Sequence, residues 1–530
     1  MKKIILAIIT LSVIPITNSC RQDFEAINAS PNSPQAPLSY GLFNSANKEL
    51  MDGMRGGFPS GRVALPWVQY SAQRNYTEED KFQYRLTSGD AFWNTFYLTA
   101  QDYKNIITLN EDPKTKDEMS QYGSNKNQIA AARIMLSYVF SNLVDRFGDV
   151  PYYSYGNKDA DFQALDVNNV TPKFASQEKI YADILKELKE ASEMIDLNNP
   201  VFNQGDMLFG SPVKMKRFAN SLRLRIANRV KGVISGAEGH IRDAIASGVM
   251  ESNDDSVGLK YENNKTNPSP MYSAFFVDNR TDFSVSNTFI ELLKGERGNF
   301  GLDPRLQKYA APNNVRIAEV GANSYAESDD LSLYKGMPYG LPANGWTASQ
   351  RSSSSFFSSN VLKADYTEML MEYSEVCFIL SEVNGWDNDW YKKGVKASMD
   401  KWGVTSAKST AFVASLPVAN KANVLNQKYI ALYMQPQEAW SEYRRTGYPN
   451  TLLKVGESHA LNAPYKTKVN GVETTYTSYT FNSLVPGLTD LPARLYYPAQ
   501  PQTLNTENYK AASIAIGGDK MDTKLIWDKN

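Results

Sequence analysis

Histidine and cysteine are almost missing from these 530 residues, with two of each. His240 and His459 stand far apart, without cysteine or acid at metal-ligand spacing, so neither a zinc site nor a serine–histidine pair has its parts. No nucleophile elbow, P-loop, dinucleotide fingerprint or EF-hand loop occurs. Ser-x-x-Lys recurs at Ser45, Ser176 and Ser398 among other positions, and such repetition in one chain shows how little that pattern discriminates. The 57 acidic residues offer many carboxylate pairs for glycoside hydrolysis, but nothing singles one out. The expectation is a protein with no catalytic residues, no metal and no cofactor. A surface glycoside hydrolase or peptidase on a helical scaffold is the alternative.

Long apolar runs are also lacking after residue 20, so nothing there reads as a membrane span. The start is different. Lys2 and Lys3 precede an uncharged stretch from Ile4 to Ile16, the length of a signal-peptide core and too short to span a bilayer of about 30 Å. Thr17-Asn18-Ser19-Cys20 follows, a small residue before a cysteine, as at the acylation site of bacterial lipoproteins. That site usually has Leu three residues before the cysteine; here the position is Thr17, with Ile16 one step earlier. The chain thus divides into a lipoprotein signal peptide over 1–19, a lipid-anchored tether over 20–37 and one domain over 38–530. Ordinary secretory cleavage with Cys20 incidental is the competing reading. Asn28 to Pro37, polar and rich in Pro and Ser, suits a tether. Two or more acyl chains would hold the protein to a membrane, at roughly 0.8 kcal/mol per buried methylene.

If Cys20 carries lipid, Cys377 has no intramolecular partner, and its apolar surroundings from Val376 to Leu380 predict a buried, inert thiol. An excess of positive charge is missing as well. Without Lys2 and Lys3 the 56 basic residues become 54 against 57 acidic ones, a net charge of −3, which argues against nucleic acid as a partner.

What is present is helical periodicity. Residues 128–147 place Ile129, Ala132, Leu136, Val139, Leu143 and Phe147 on one face and stop at Gly148. Residues 176–196 begin at Ser176, an N-cap, and align Ile180, Ile184, Leu188, Ala191 and Ile195. Residues 214–231 repeat Phe218, Leu222, Ile226 and Val230, and 366–385 and 421–445 continue the theme. These predict an all-α fold of degenerate tetratricopeptide-like helix pairs, since no strict 34-residue period is visible. Between the helices lie polar, aromatic-rich stretches at about 52–100, 250–285, 310–365 and 455–500, read as a loop-built face.

Seven basic residues and no acid fall within 214–231. Arg223 and Arg225 sit about 200° apart on a helix, so they share no face, and internal ion pairs are the expectation. Aromatics carry the binding candidates. Trp67, Tyr70, Tyr76, Trp93 and Tyr97 cluster with Arg74 among amides, while Trp346 and Phe356 lie outside any periodic apolar segment. Rings flanked by amides and arginine suit stacking on sugars or packing on peptide side chains. Each ring has a core reading beside the binding one, most strongly Trp93 between Phe92 and Phe96.

The order of several segments carries a resemblance. Ala131-Ala-Arg133, Asp145-Arg-Phe-Gly-Asp-Val-Pro151, and the run from Arg217 to Arg229 (RFANSLRLRIANR) resemble those of the SusD/RagB family of outer-membrane nutrient-binding lipoproteins. Asp303-Pro-Arg-Leu306, the stretch Glu372 to Glu382, Lys401-Trp-Gly-Val404, the stretch Glu438 to Pro449, and Ala493 to Pro498 follow in the family's order. The resemblance implies a helical scaffold with a loop-rich face. It implies a lipoprotein on the outward side of the outer membrane that captures an oligosaccharide or oligopeptide. The implied partner is a SusC-type TonB-dependent transporter, which the protein covers like a lid. The family's signature residues are mostly structural, so only the regions 67–97 and 340–357 carry over as binding regions.

Overall fold

The computed structural model describes residues 37–529; the signal segment, Cys20 and most of the expected tether lie outside them. Eleven helices carry the argument: α1 Ser39–Arg55, α2 Asp90–Glu111, α3 Asn125–Phe147, α4 Gln177–Met194, α5 Pro212–Val230, α6 Ala237–Ala246, α7 Asn344–Gln350, α8 Tyr373–Val383, α9 Asn388–Lys401, α10 Lys421–Ala431 and α11 Pro436–Thr446. Three two-stranded antiparallel sheets join them. β1 Ser71–Gln73 pairs with β3 Phe283–Val285, β2 Val257–Lys260 with β4 Thr367–Met371, and β5 Ser458–Val469 with β6 Val472–Thr480.

The fold is mainly helical, and neighbouring helices pack as antiparallel pairs. Gln128 near the start of α3 meets Asn110 at the end of α2, while Trp93 near the start of α2 meets Phe147 at the end of α3. Likewise Arg133 of α3 bonds Glu187 of α4, and Asp145 bonds Tyr181. α3 is buried on nearly every side, which makes it the centre of the stack. Ser176 caps α4 and Ser211 caps α5, each hydroxyl accepting from the backbone N–H three residues on.

Two expected helices are interrupted. Residues 367–371 leave the run 366–385 as strand β4, because they pair with Val257–Lys260. The run 421–445 breaks into α10 and α11 at Leu432–Gln435, where Met434 takes a positive φ of 68° and Pro436 has no N–H to continue the ladder. Within the stretches read as loops, residues 90–100 already belong to α2 and 458–480 are a hairpin. Among the described residues no helix is long and apolar enough to cross a membrane.

The basic helix α5 turns its charges inward. Arg223 pairs with Asp243 at 2.7 Å, Arg217 with Asp255 at 3.1 Å, Arg225 with Glu375, and Arg229 with both Asp145 and Glu438. From α11, Arg445 reaches Glu382 at 2.7 Å and Glu442 at 2.9 Å, and Lys428 of α10 reaches Glu442 at 2.8 Å. Burial alone would raise the Glu442 carboxyl, but Arg445 and Lys428 hold it well below the usual range. This lattice ties α3, α5, α8, α10 and α11 together. Cys377 lies inside α8, where burial pushes its thiol up to about 12, as an inert cysteine requires.

Candidate functional site

The eight candidate binding residues separate into three places. Trp67 and Tyr70 are core. Trp67 is 1% exposed and lies between Tyr84 and Trp440, with ring centroids at 4.8 and 4.7 Å. Tyr70 stacks on Tyr429 at 4.6 Å, and its hydroxyl donates to the Tyr429 carbonyl. Protein covers both rings, contrary to the expectation of faces open to a ligand.

Trp93 and Tyr97 stand on α2, away from the others. Trp93 is mostly buried against Phe147 and Tyr497, and the Tyr97 hydroxyl donates to the Pro151 carbonyl at 2.7 Å. Both line an apolar groove of about 560 Å³ with Leu98, Val170, Phe174 and Leu504.

Arg74, Tyr76, Trp346 and Phe356 come together. The chain leaves β1 at Arg74, whose backbone N–H and that of Asn75 donate to the Asp282 carbonyl at 2.5 and 3.3 Å. The Asn75 side chain adds a bond to the Asp282 carboxylate at 2.9 Å. This turn aims the Arg74 guanidinium over the Phe356 ring, 4.4 Å from its centroid. Tyr76 follows with a positive φ of 59° and is 49% exposed. Its N–H donates to Asn344 Oδ1 at 3.0 Å, which joins the turn to α7. At the other end of α7, Arg351 Nε donates to the Arg74 carbonyl at 2.9 Å.

Trp346 projects from α7 onto the β5–β6 hairpin, where Tyr465 and Tyr476 meet it at 4.5 and 4.9 Å. Gln350 clamps the same helix to β5, donating to the Ala463 carbonyl at 2.8 Å and accepting the Ala463 N–H at 3.1 Å. These bonds fall where the β5–β6 register is irregular, between Ala460 and Tyr465, so backbone groups that lose a strand partner gain a side chain. Tyr465 and Tyr476 were missed in the sequence. The signal was there: Asn470-Gly471, both at positive φ, makes the two-residue turn that Asn-Gly favours, flanked by alternating rings and threonines.

Beneath the face, Asp80 holds the segment leading to α7. Its Oδ2 accepts from Gln73 N–H at 2.9 Å and from Gly340 N–H at 3.5 Å, where Gly340 has a φ of 67°. Lys81 Nζ donates to the Pro342 carbonyl at 2.8 Å. Burial pushes the Asp80 carboxyl up to about 8, so it is neutral at pH 7. Burial, then the neighbouring Arg351, lowers Arg74 to about 10, and it keeps its charge at neutral pH.

Beside Tyr76 opens a cleft of about 480 Å³ lined by Lys48, Asp52, Phe58, Arg62, Arg280 and Asp282, among others. Arg62 is shared, its guanidinium lying over both Phe58 and Tyr76 at 5.7 and 5.2 Å while it bonds Glu79 at 2.7 Å. Arg62, over Tyr76, and Asp282, bonded to Asn75, thus join the cleft to the turn that carries Arg74 and Tyr76. His459, at the start of β5, has as partners Glu291 at 2.9 Å and Asn287. Among the described residues no group of three metal-ligating side chains converges.

Known proteins align with this chain over almost its whole length. The family described as starch-binding, associating with the outer membrane (SusD-like), matches residues 31–468, and the SusD and RagB outer-membrane lipoprotein family matches 418–528. No curated protein matches. Among solved structures, a chitin-binding protein is 25% identical with a TM-score of 0.72, covering 93% of this chain and 100% of its own. A chitin-binding SusD homologue from Flavobacterium johnsoniae is 21% identical (TM-score 0.68, 93% and 99% covered). A SusD homologue from Bacteroides ovatus is 20% identical (TM-score 0.68, 93% and 100% covered). With the helical stack and its loop-built face, these matches place the chain in the SusD/RagB family of outer-membrane lipoproteins.

Proposed function

We propose that the protein captures an oligosaccharide on the surface formed by Arg74, Tyr76, Trp346 and Phe356, and delivers it without chemical change. The observation that carries this reading is the convergence of rings and guanidiniums from three separate segments, 74–76, 344–356 and the β5–β6 hairpin, beside an open cleft. Sugar rings present apolar C–H faces bounded by hydroxyls, so they match flat aromatic faces edged by N–H donors. The similarity to a solved chitin-binding protein favours a glycan over a peptide. Delivery runs to a SusC-type TonB-dependent transporter in the outer membrane, over which the protein acts as a lid, held at the cell surface by lipid on Cys20. The tether keeps the lid at high effective concentration above its barrel while leaving it free to open.

Calorimetric titration of the lipid-free protein with chito-oligosaccharides and other neutral oligosaccharides tests capture, with the saccharides recovered intact afterwards. New reducing ends would instead mark a hydrolase. Purification from native membranes tests delivery: co-elution with a large β-barrel partner is expected, and persistent isolation alone would sink the lid. Cys20→Ala is expected to move the protein from membranes to the soluble fraction.

A further inference from the structure

Arg74 and Arg351 differ from most arginines of the helical stack. There, Arg133, Arg225, Arg229 and Arg445 each face at least one carboxylate. On the proposed binding surface, Arg351 Nε bonds the Arg74 backbone carbonyl, and the Arg351 charge is close enough to act on the Arg74 guanidinium. Among the described residues neither forms an ion pair. Arg74 spends one nitrogen on Ser284 Oγ at 3.0 Å and lays its plane on Phe356. Arg351 spends Nε on Arg74 and offers Nη2 to Thr347 at 3.3 Å. Arg74 Nε and Nη2 and Arg351 Nη1 have no protein partner among the described residues, and none of them is a buried orphan. The carboxylate on this turn, Asp282, is committed to Asn75 and lies 3.5 Å from Arg280.

Holding two like charges together is unfavourable, and one cation–π contact offsets little of it. An oxyanion reached by both guanidiniums would reverse the sign, because forked N–H donors bind carboxylate and sulfate in pairs. Phe356 lies under Arg74, and Tyr76 follows two residues on, joined through Asn344 to the helix that carries Trp346. A sugar carrying the anion would therefore have rings beside it for its neighbours.

We propose that the Arg74–Arg351 pair is a basic subsite for an acidic group, and that the preferred ligand is an anionic oligosaccharide bearing carboxylate or sulfate groups. This rests on the oligosaccharide reading above and narrows it.

The test is calorimetry at low salt with four probes: tetragalacturonate, its methyl ester, a sulfated chondroitin tetrasaccharide and neutral chitotetraose. The methyl ester keeps shape and removes charge. At least tenfold tighter binding of an acidic probe than of the neutral ones is expected, weakening steeply with added salt. The two acidic probes distinguish carboxylate from sulfate. Arg351→Met and Arg74→Met are each expected to lose about tenfold on the acidic probe and little on chitotetraose, while the exposed Arg316→Met changes nothing. Because Arg74 packs on Phe356, melting curves accompany its variant, and Arg351→Gln gives an independent reading. Equal affinity for acidic and neutral probes, or arginine variants that bind acidic probes normally, overturns the subsite and leaves oligosaccharide capture standing. Failure of all four probes to bind overturns both.

Discussion

Arg444 and Arg74 both lie over aromatic rings, 3.6 Å from the Trp440 centroid and 4.4 Å from that of Phe356. Their surroundings differ. Arg444 is buried between Trp440 and Trp527 and donates to the carbonyls of Asp145 and Ala493 at 2.8 and 2.7 Å. Its donors are used to join α3, α11 and the C-terminal segment. Arg74 sits on the turn that follows β1, half-buried, with part of its fork open. The same pair of residue types is therefore mortar in the stack and, in the function proposed above, a docking point on the face. What separates them is how many donors the fold has already used, which a pattern of residue types does not reveal.

The largest effect that would test this contrast lies in the stack. Arg229→Met leaves Asp145 and Glu438 buried without their shared cation, and a loss of about 3–5 kcal/mol in urea unfolding is expected. A loss below about 1 kcal/mol would mean that water reaches the lattice and that the stack is less distinct from the face than its burial indicates.

Next comes Asp80, where the two regions meet. Its carboxyl ionises near pH 4 when unfolded but only at about 8 when folded. Between those values the unfolded chain binds fewer protons, so this group makes stability fall as pH rises, levelling off above about 8. Asp80→Asn removes that slope. Its stability advantage over the native chain is expected to grow from near zero at pH 4 to about 2–5 kcal/mol at pH 8, read from urea midpoints. An advantage independent of pH would show that the proton is not involved.

The smallest effect on stability, and the most specific, belongs to Trp346. Trp346→Ala is expected to weaken oligosaccharide binding tenfold or more, while the melting temperature moves by less than about 2 °C. A large fall in melting temperature with unchanged affinity would transfer Trp346 from the face to the core.

The helical half was legible because burial imposes a period. The spacing from Ile129 to Phe147, the cap at Ser176 and the inward arginines of α5 all follow from packing one helix among others. Breaks in periodicity were less legible. Strand β4 reads as helix until its partner, some 110 residues earlier, is known. The candidate site was half legible for a related reason. Trp67, Tyr70, Arg74 and Tyr76 are neighbours in sequence and equally flanked by amides, yet the first two point into the core and the next two emerge after β1. Tyr465 and Tyr476 were hidden within a stretch that looked like loop, although the Asn470-Gly471 turn announces a hairpin.

That hairpin leaves most of β5 and β6 exposed, and it supports Trp346 from outside the helical stack. Its amides are expected to exchange with solvent through local opening, at a free energy well below that of global unfolding. Trp346 then stands on a unit that can release and re-form while the stack stays folded. Ligand residence time would be set by the breathing of one ribbon and short helix, independently of the melting point of the whole protein.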